Sequence, residues 1–358
     1  MANSKWLLYG VGDTGTLIVE EAVRRGHSPL LAGRSAERLK PVAEQFGLEW
    51  VAVDLLDTTA LSKVMARVDL VVHAAGPFMA TSAPMVSASL AHKKHYLDIS
   101  NEIPVFQALR THDTEARQHG IALISGVGFG VVATDGFAQS VAAEVPDAKD
   151  LEIAIYSYTK GSSAGANKTR LELLAHGGWI RRHGQLVKAA MGSGAKRLQF
   201  PFGEQTILPI PSGDLEAAFY NTGIPNITVY GVFPMPPLLA RTTLPIVQQV
   251  VANPTLRRLL ERRVSAKPGS NGKTPLTADA SQPGRSYVWA RADNGRNKVV
   301  EAWQETGEGY AFTAAAAVRS VEEVFERRPS GALTPSQAFG ADFALSIDGV
   351  KRYDSVKG

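Results

Sequence analysis

Trp6-Leu7-Leu8-Tyr9-Gly10-Val11-Gly12-Asp13-Thr14-Gly15 places four apolar residues ahead of a Gly-x-Gly-x-x-Gly turn, and helical spacing resumes over Thr14–Arg25. The first glycine of such a turn permits the tight bend, and the second lets backbone approach a pyrophosphate. The third allows helix and strand to pack closely. Phosphates then face unpaired N–H groups and the positive end of the helix dipole. A lone Gly-x-Gly-x-x-Gly is a weak signal and is compatible with a merely structural turn. Here a strand precedes it, a helix follows it, and further strand–helix units continue downstream, so it reads as a dinucleotide-binding turn.

Those units run through the first third of the chain. Apolar runs that read as strands are Trp6–Tyr9, Pro29–Ala32, Trp50–Val53, Leu70–His73, His95–Ile99 and Ile121–Ser125. Between them, Thr14–Arg25, Ala36–Phe46, Thr58–Ala66, Ala83–His92 and Pro104–His119 carry helical spacing. Strict alternation with short connections predicts a parallel sheet covered on both faces, a Rossmann doubly wound α/β domain over residues 1–130. Ligands of that fold bind outside the carboxyl ends of the strands.

Beyond Gly130 the rhythm changes. Leu151–Tyr158, Gln199–Pro209, Asn226–Phe233, Ser286–Ala292 and Lys298–Gln304 read as strands of a mixed sheet. Helices are expected at Thr169–His176, Leu215–Asn221, Leu238–Ala252, Thr255–Val264 and Tyr310–Glu326, and a surface loop at Ser265–Arg285. Residues 131–358 are thus expected to form a second α/β domain for substrate binding or dimerisation, with its C-terminal segment packing back on the first.

Composition narrows the chemistry. The 358 residues are 44% hydrophobic and 20% charged, an ordinary balance for two domains of about 150 residues. No cysteine is present, which excludes disulfides, thiolate metal sites and a cysteine nucleophile. A surplus of +4 is too small to point to nucleic acid. The first ten residues lack a basic region before the apolar run, so no signal peptide is expected, nor is a membrane span, and the expected location is cytoplasmic. His92 and His95 stand three apart, but His92 closes a helix beside Lys93 and Lys94 and no paired carboxylate follows. A helix-dipole contact accounts for them, and no metal site is expected.

Cofactor identity turns on the end of the second strand, which reads Ala32-Gly33-Arg34-Ser35. NAD-binding sheets place a carboxylate there to bind the ribose 2′-hydroxyl. A guanidinium instead grips a 2′-phosphate, with Ser35 as a further donor or as the N-cap of the next helix, so NADP(H) is expected. Asp54-Leu55 is placed to meet the adenine, or Asp54 caps the following turn. Ala74, Ala75 and Gly76 are small enough to let backbone approach the nicotinamide ribose, with Phe78 near the ring. With Gly10, Gly12, Asp13, Thr14 and Gly15, these form the expected cofactor site.

Gly12-Asp13-Thr14-Gly15 through Glu20-Glu21-Ala22-Val23-Arg24-Arg25-Gly26, Ala32-Gly33-Arg34, Ala75-Gly76-Pro77-Phe78, His95-Tyr96-Leu97-Asp98-Ile99-Ser100 and Gly126-Val127-Gly128-Phe129 resemble the saccharopine dehydrogenase-like reductases, and within them the trans-acting enoyl reductase branch. Thr334-Pro335, Ala338-Phe339-Gly340 and Asp342-Phe343 extend the likeness, which is weakest over residues 185–285. The resemblance implies an NADP-binding domain followed by an α/β domain whose sheet covers the nicotinamide end. Four positions depart from the family pattern. Tyr9 stands at its first glycine, Asn101 replaces glycine before Glu102, Gly130 replaces aspartate, and Ser163-Ala164-Gly165-Ala166 lacks a hydroxyl.

Hydride transfer needs no protein nucleophile, only positioning and, for an enoyl or imine acceptor, a proton. Tyr96 and Asp98 alternate on one strand and share a face, so Tyr96 is a candidate donor to substrate and Asp98 a candidate acceptor from the nicotinamide amide or ribose; a core aromatic is the other reading of Tyr96. Lys160 and Lys168 are further candidates, against a solvent-facing role. No nucleophile turn with a Ser-His-Asp order is present. The expected activity is NADPH-dependent reduction of an activated C=C or C=N bond in a small hydrophobic molecule. The rival is a non-catalytic NADP-binding sensor or interaction protein. The apolar, proline-broken run Val232–Ala240 and the basic Arg257–Arg263 suggest helix packing, a homodimer interface, or peripheral lipid contact.

Overall fold

Four consecutive buried residues make β1 (Trp6–Tyr9) the centre of a parallel sheet. In the computed structural model, which describes residues 5–159, 177–252 and 284–354, the chain divides into two units. The first is Met1–Gln139 with Tyr310–Val350, and the second is Ser140–Gly309 with Lys351–Gly358.

In the first unit, β1, β2 (Leu30–Gly33), β3 (Trp50–Ala52), β4 (Leu70–His73), β5 (His95–Asp98) and β6 (Ala122–Ile124) alternate with helices, and a late strand, Gly331–Leu333, completes the sheet. The spatial order is late strand, β6, β5, β4, β1, β2, β3, and every pair is parallel, with Leu7 beside Leu30 on one side and Val71 on the other. Order therefore reverses between β1 and β4, the switch point at which doubly wound sheets open a crevice. β1, β2 and β4 are buried along their whole length because helices cover both faces, so their sequences read as unbroken apolar runs. Leu7, Tyr9 and Val71 pack in one cluster with Leu61, Val64 and Met65 of the helix Thr58–Met65.

Two helices differ from expectation. Pro104–His119 is two helices, Ile103–Arg110 and Asp113–His119. The Thr111 hydroxyl bonds the Ala108 carbonyl at the break. The restart brings Asp113 to the Ala332 amide of the late strand (2.9 Å). The helix expected at Ala83–His92 begins at Phe78, because Glu102 accepts from the otherwise unpaired amides of Phe78 (3.2 Å) and Met79 (2.7 Å).

The second unit is built on a nine-stranded mixed sheet in which Asp150–Tyr156 and Asn226–Phe233 run parallel and the other pairs are antiparallel. The single strand expected at Gln199–Pro209 is a hairpin, Lys196–Phe200 with Gly203–Pro209, and Gly203 has φ +119°. Gly178–Arg182 and Gln185–Ala189 form a second, unanticipated hairpin whose turn residues His183 and Gly184 both have positive φ. The helices read at Thr169–His176 and Thr255–Val264, the candidates Lys160 and Lys168, the element Ser163–Ala166 and most of the loop Ser265–Arg285 lie outside the described residues. The first unit reaches Gln139 and takes in Tyr310–Val350, whereas the sequence reading drew the boundary after residue 130.

Candidate functional site

The three glycines of the turn do separate work. Gly10 adopts φ +105°, and a Cβ there would lie 2.7 Å from the backbone nitrogen and Cβ of Ala75. A Cβ on Gly15 would lie 2.0 Å from the Gly10 carbonyl oxygen, so this glycine lets helix pack on turn. A Cβ on Gly12 would meet nothing within 4 Å. Its side faces open space, and no side chain caps the helix Asp13–Arg24 that begins there. Unpaired amides at a helix start beside an empty cradle suit a pyrophosphate.

That space is a cavity of about 790 Å³ along the carboxyl ends of β1, β2, β3 and β4. It brings together Gly10, Gly12, Arg34, Ser35, Asp54, Leu55, Ala74, Ala75 and Gly76 of the expected site. Asp13, Thr14 and Gly15 lie just behind the lining, in the first turn of the helix. Arg34 is exposed, and Ser35 takes the N-cap position of Ala36–Phe46 without spending its hydroxyl on a cap. Both can therefore donate into the cavity. Arg38, four residues on and also exposed, lines the same end. Arg38 was not among the expected site residues; it stands in the first turn of the helix whose N-cap position Ser35 takes.

Asp54 accepts from the Leu56 amide (2.9 Å), so one carboxylate oxygen holds the local turn while the residue still lines the cavity. Tyr9, at the family's first glycine, turns its ring into the core and donates to the Val53 carbonyl (3.0 Å). Burial, followed by the nearby Asp54 charge, pushes its phenol up to about 12.

At the other end the lining is Ala74, Ala75, Gly76, Pro77, Ala80, Thr81 and Pro84. Thr81 was not foreseen; its hydroxyl donates to the Ala75 carbonyl (2.7 Å). Phe78 is half-buried with its ring edge-on to His73 (5.4 Å between centroids) and does not line the cavity. Behind this wall runs a buried network, with His73 Nε2 left without a hydrogen-bond partner among the described residues. The Tyr96 hydroxyl donates to Asp98 Oδ2 (2.9 Å), and His73 Nδ1 lies 3.2 Å from the Tyr96 oxygen. Asp98 Oδ1 accepts from Ser125 Oγ (2.6 Å) and from the amides of Ser100 (2.9 Å) and Gly126 (3.1 Å). His73, Tyr96 and Asp98 are all fully buried. Desolvation holds His73 down to about 4 and raises both the Asp98 carboxyl and the Tyr96 phenol, the last also through the Asp98 charge. Tyr96 and Asp98 do share a side of their strand, but it is the interior side. The outward orientation expected of them is corrected: neither lines the cavity.

Two departures from the family pattern meet in space. A Cβ on Gly130 would lie 2.6 Å from Asn101 Nδ2. The side chain gained at 101 fills the room that a side chain at 130 would need. His95 Nδ1 accepts from the Ala122 amide (3.0 Å), pinning β5 to β6. No His/Asp/Glu group that could hold a metal ion occurs among the described residues, and no helix among them is long and apolar enough to cross a membrane.

A sheet reversing at β1 and β4, a glycine turn and this crevice define a dinucleotide-binding protein of the Rossmann class. Residues 6–124 match the family described as saccharopine dehydrogenase NADP binding domain. A Mycobacterium tuberculosis protein provisionally named a trans-acting enoyl reductase is 29% identical over 184 residues, 47% of this chain and 44% of that protein. The chain thus spans less than half the length of that relative. Apo saccharopine dehydrogenase (L-Glu forming) from Saccharomyces cerevisiae superposes with a TM-score of 0.65 at 14% identity, covering 98% of this chain and 99% of that one. Homospermidine synthase from Legionella pneumophila, solved with NAD, gives 0.63 at 10% identity over 99% and 92%. These two likenesses establish the fold: a Rossmann domain with a second, mixed-sheet α/β domain.

Proposed function

We propose that the protein is an NADPH-dependent reductase of an activated C=C bond, or of a C=N bond, in a small hydrophobic molecule. The observation that carries this reading is the contrast along the cavity, with the charged side chains Arg34, Glu37, Arg38 and Asp54 at one end and an apolar lining at the other. The name of the Mycobacterium tuberculosis relative supports the enoyl alternative.

When bound, NADPH supplies the hydride. Arg34, Ser35 and Arg38 hold the 2′-phosphate, the Gly12 cradle and the first-turn amides hold the pyrophosphate, and Asp54 accepts from the adenine amino group. Ala74, Ala75 and Gly76 admit the nicotinamide ribose without steric conflict. The apolar lining from Pro77 to Pro84 favours an acceptor that loses little on desolvation. Tyr96 and Asp98 act as positioning residues that hold the ends of β4, β5 and β6 level behind this wall. Thr81 is the one hydroxyl on that stretch of lining and its proton is held by the Ala75 carbonyl, so proton delivery falls to water.

Purified protein screened for NADPH consumption against enoyl thioesters, enones and cyclic imines tests this directly. Turnover on one of these classes is expected. Tight NADPH binding with no turnover on any acceptor would favour the second reading, a non-catalytic NADP-binding sensor. That reading draws on one observation, the inward orientation of Tyr96 and Asp98.

A further inference from the structure

The helix Pro237–Ala252 presents apolar side chains on two opposite sides. Ala240 and Leu244, one turn apart, are buried with Met191, Ala195 and Leu208, and Gln248 continues that stripe by accepting from the Met191 amide (3.0 Å). On the opposite side Leu238, Leu239 and Ile246 are 75%, 47% and 64% exposed, and Val247, on the flank of the packed side, is 40% exposed. Thr242 and Thr243 lie among them with their hydroxyls turned to the helix backbone. Thr242 donates to the carbonyls of Leu238 (3.0 Å) and Leu239 (3.2 Å), and Thr243 donates to that of Leu239 (2.7 Å). This back-bonding satisfies both hydroxyls without solvent. The helix holds no Asp, Glu or Lys, and its one cation, Arg241, donates to the Ala195 carbonyl. The outer face is therefore uncharged and largely aliphatic, with both threonine hydroxyls paired and Gln249 as its exposed amide.

We propose that this face docks the protein on an anionic lipid bilayer, with the helix lying flat in the headgroup region. Sixteen residues rise about 24 Å, short of the roughly 30 Å of hydrocarbon that a span must cross. Four exposed aliphatic side chains and no acid match the apolar side of an interfacial helix. Charge identifies the occupant. The next 31 residues, 253–283, carry Arg257, Arg258, Arg262, Arg263, Lys267 and Lys273 against Glu261 and Asp279. Their surplus of four equals that of the whole chain, so the basic charge is concentrated directly after the apolar face. An anionic surface neutralises such a stretch. The proposal stands independently of the reaction proposed above.

Co-sedimentation of the full chain with vesicles tests it. Binding is expected to phosphatidylcholine vesicles containing about 30 mol% phosphatidylglycerol, and about tenfold weaker or less to phosphatidylcholine alone or in high salt. The double variant Leu238→Glu/Ile246→Glu should lose at least about tenfold in vesicle partition. Its NADPH affinity and melting temperature should stay at wild-type values, because both positions face away from the packed side. Absence of wild-type binding to the anionic vesicles would overturn the proposal, as would equal binding by the folded double variant. A wild-type dimer that the double variant converts to monomer, with no vesicle binding by either, would assign the face to a second copy instead.

Discussion

The two ends of the cavity are made of different material. At the end proposed for the adenosine, Arg34, Ser35, Arg38 and Asp54 line the cavity at or near the surface. At the nicotinamide end the polar groups lie behind the wall, where His73, Tyr96 and Asp98 bond to one another and to β6. The first arrangement suits the proposed cofactor site, with side chains that stay solvated until a ligand arrives. The second fixes backbone geometry and leaves an apolar surface in front. Substitutions at the first end should therefore change affinity and spare stability, and those at the second should do the reverse.

Gly12→Val should have the largest effect on binding. Its side chain would enter the cradle that is open on the protein side, so NADPH affinity should fall on the order of 1000-fold or more with little change in melting temperature. Near wild-type affinity in a titration calorimeter would move the pyrophosphate elsewhere. The opposite end should respond to acid. His73 is held down to about 4 in the folded protein against 6.5 unfolded, so between those values the unfolded chain binds the extra proton. Its contribution to stability is complete above pH 6.5 and is lost as pH falls toward 4, by up to about 1.4 kcal/mol per pH unit. His73→Phe should flatten that part of a urea-midpoint profile, and an unchanged profile would remove His73 as its source.

Tyr96→Phe should cost about 1–3 kcal/mol of stability, because a buried Asp98 oxygen and the His73 Nδ1 each lose a partner. Turnover with any acceptor found should stay within a few-fold of wild type. A loss of about 100-fold in turnover, with the urea midpoint unmoved, would instead make Tyr96 a proton donor and erase the distinction between the two ends.

How far the chain could be read without its structure follows the same division. The glycine turn and Arg34 were legible because each rule is local: a motif between strand and helix, and a residue at a strand end. The orientation of Tyr96 and Asp98 was not legible. Alternation tells that two strand residues share a side, whereas which side faces a ligand depends on how β4, β5 and β6 meet. Arg38 was within reach, since it falls in the first turn of the helix that follows β2, as was the hairpin at Lys196–Pro209, whose Pro201 and Gly203 break the apparent strand. Asn101 and Gly130 read as two independent departures because nothing in sequence joins positions 29 residues apart; the contact between them does.

The smallest expected effect separates the two arginines. If both guanidiniums serve the 2′-phosphate, Arg34→Ala should weaken NADPH by about 10- to 150-fold and leave NADH almost unchanged, the scale of a charged hydrogen bond. Arg38 is on the helix, one turn further from the strand end, and contributes mainly as a nearby charge in water, so Arg38→Ala should weaken NADPH by about 2- to 10-fold. Its effect should also fade as salt rises, whereas that of Arg34 should persist, because a bidentate hydrogen bond is screened less than a solvated charge. Equal losses for NADPH and NADH in either variant would detach that arginine from the 2′-phosphate. A salt-independent loss at Arg38 would instead promote it to a direct ligand and place the adenosine closer to the helix than to the end of β2.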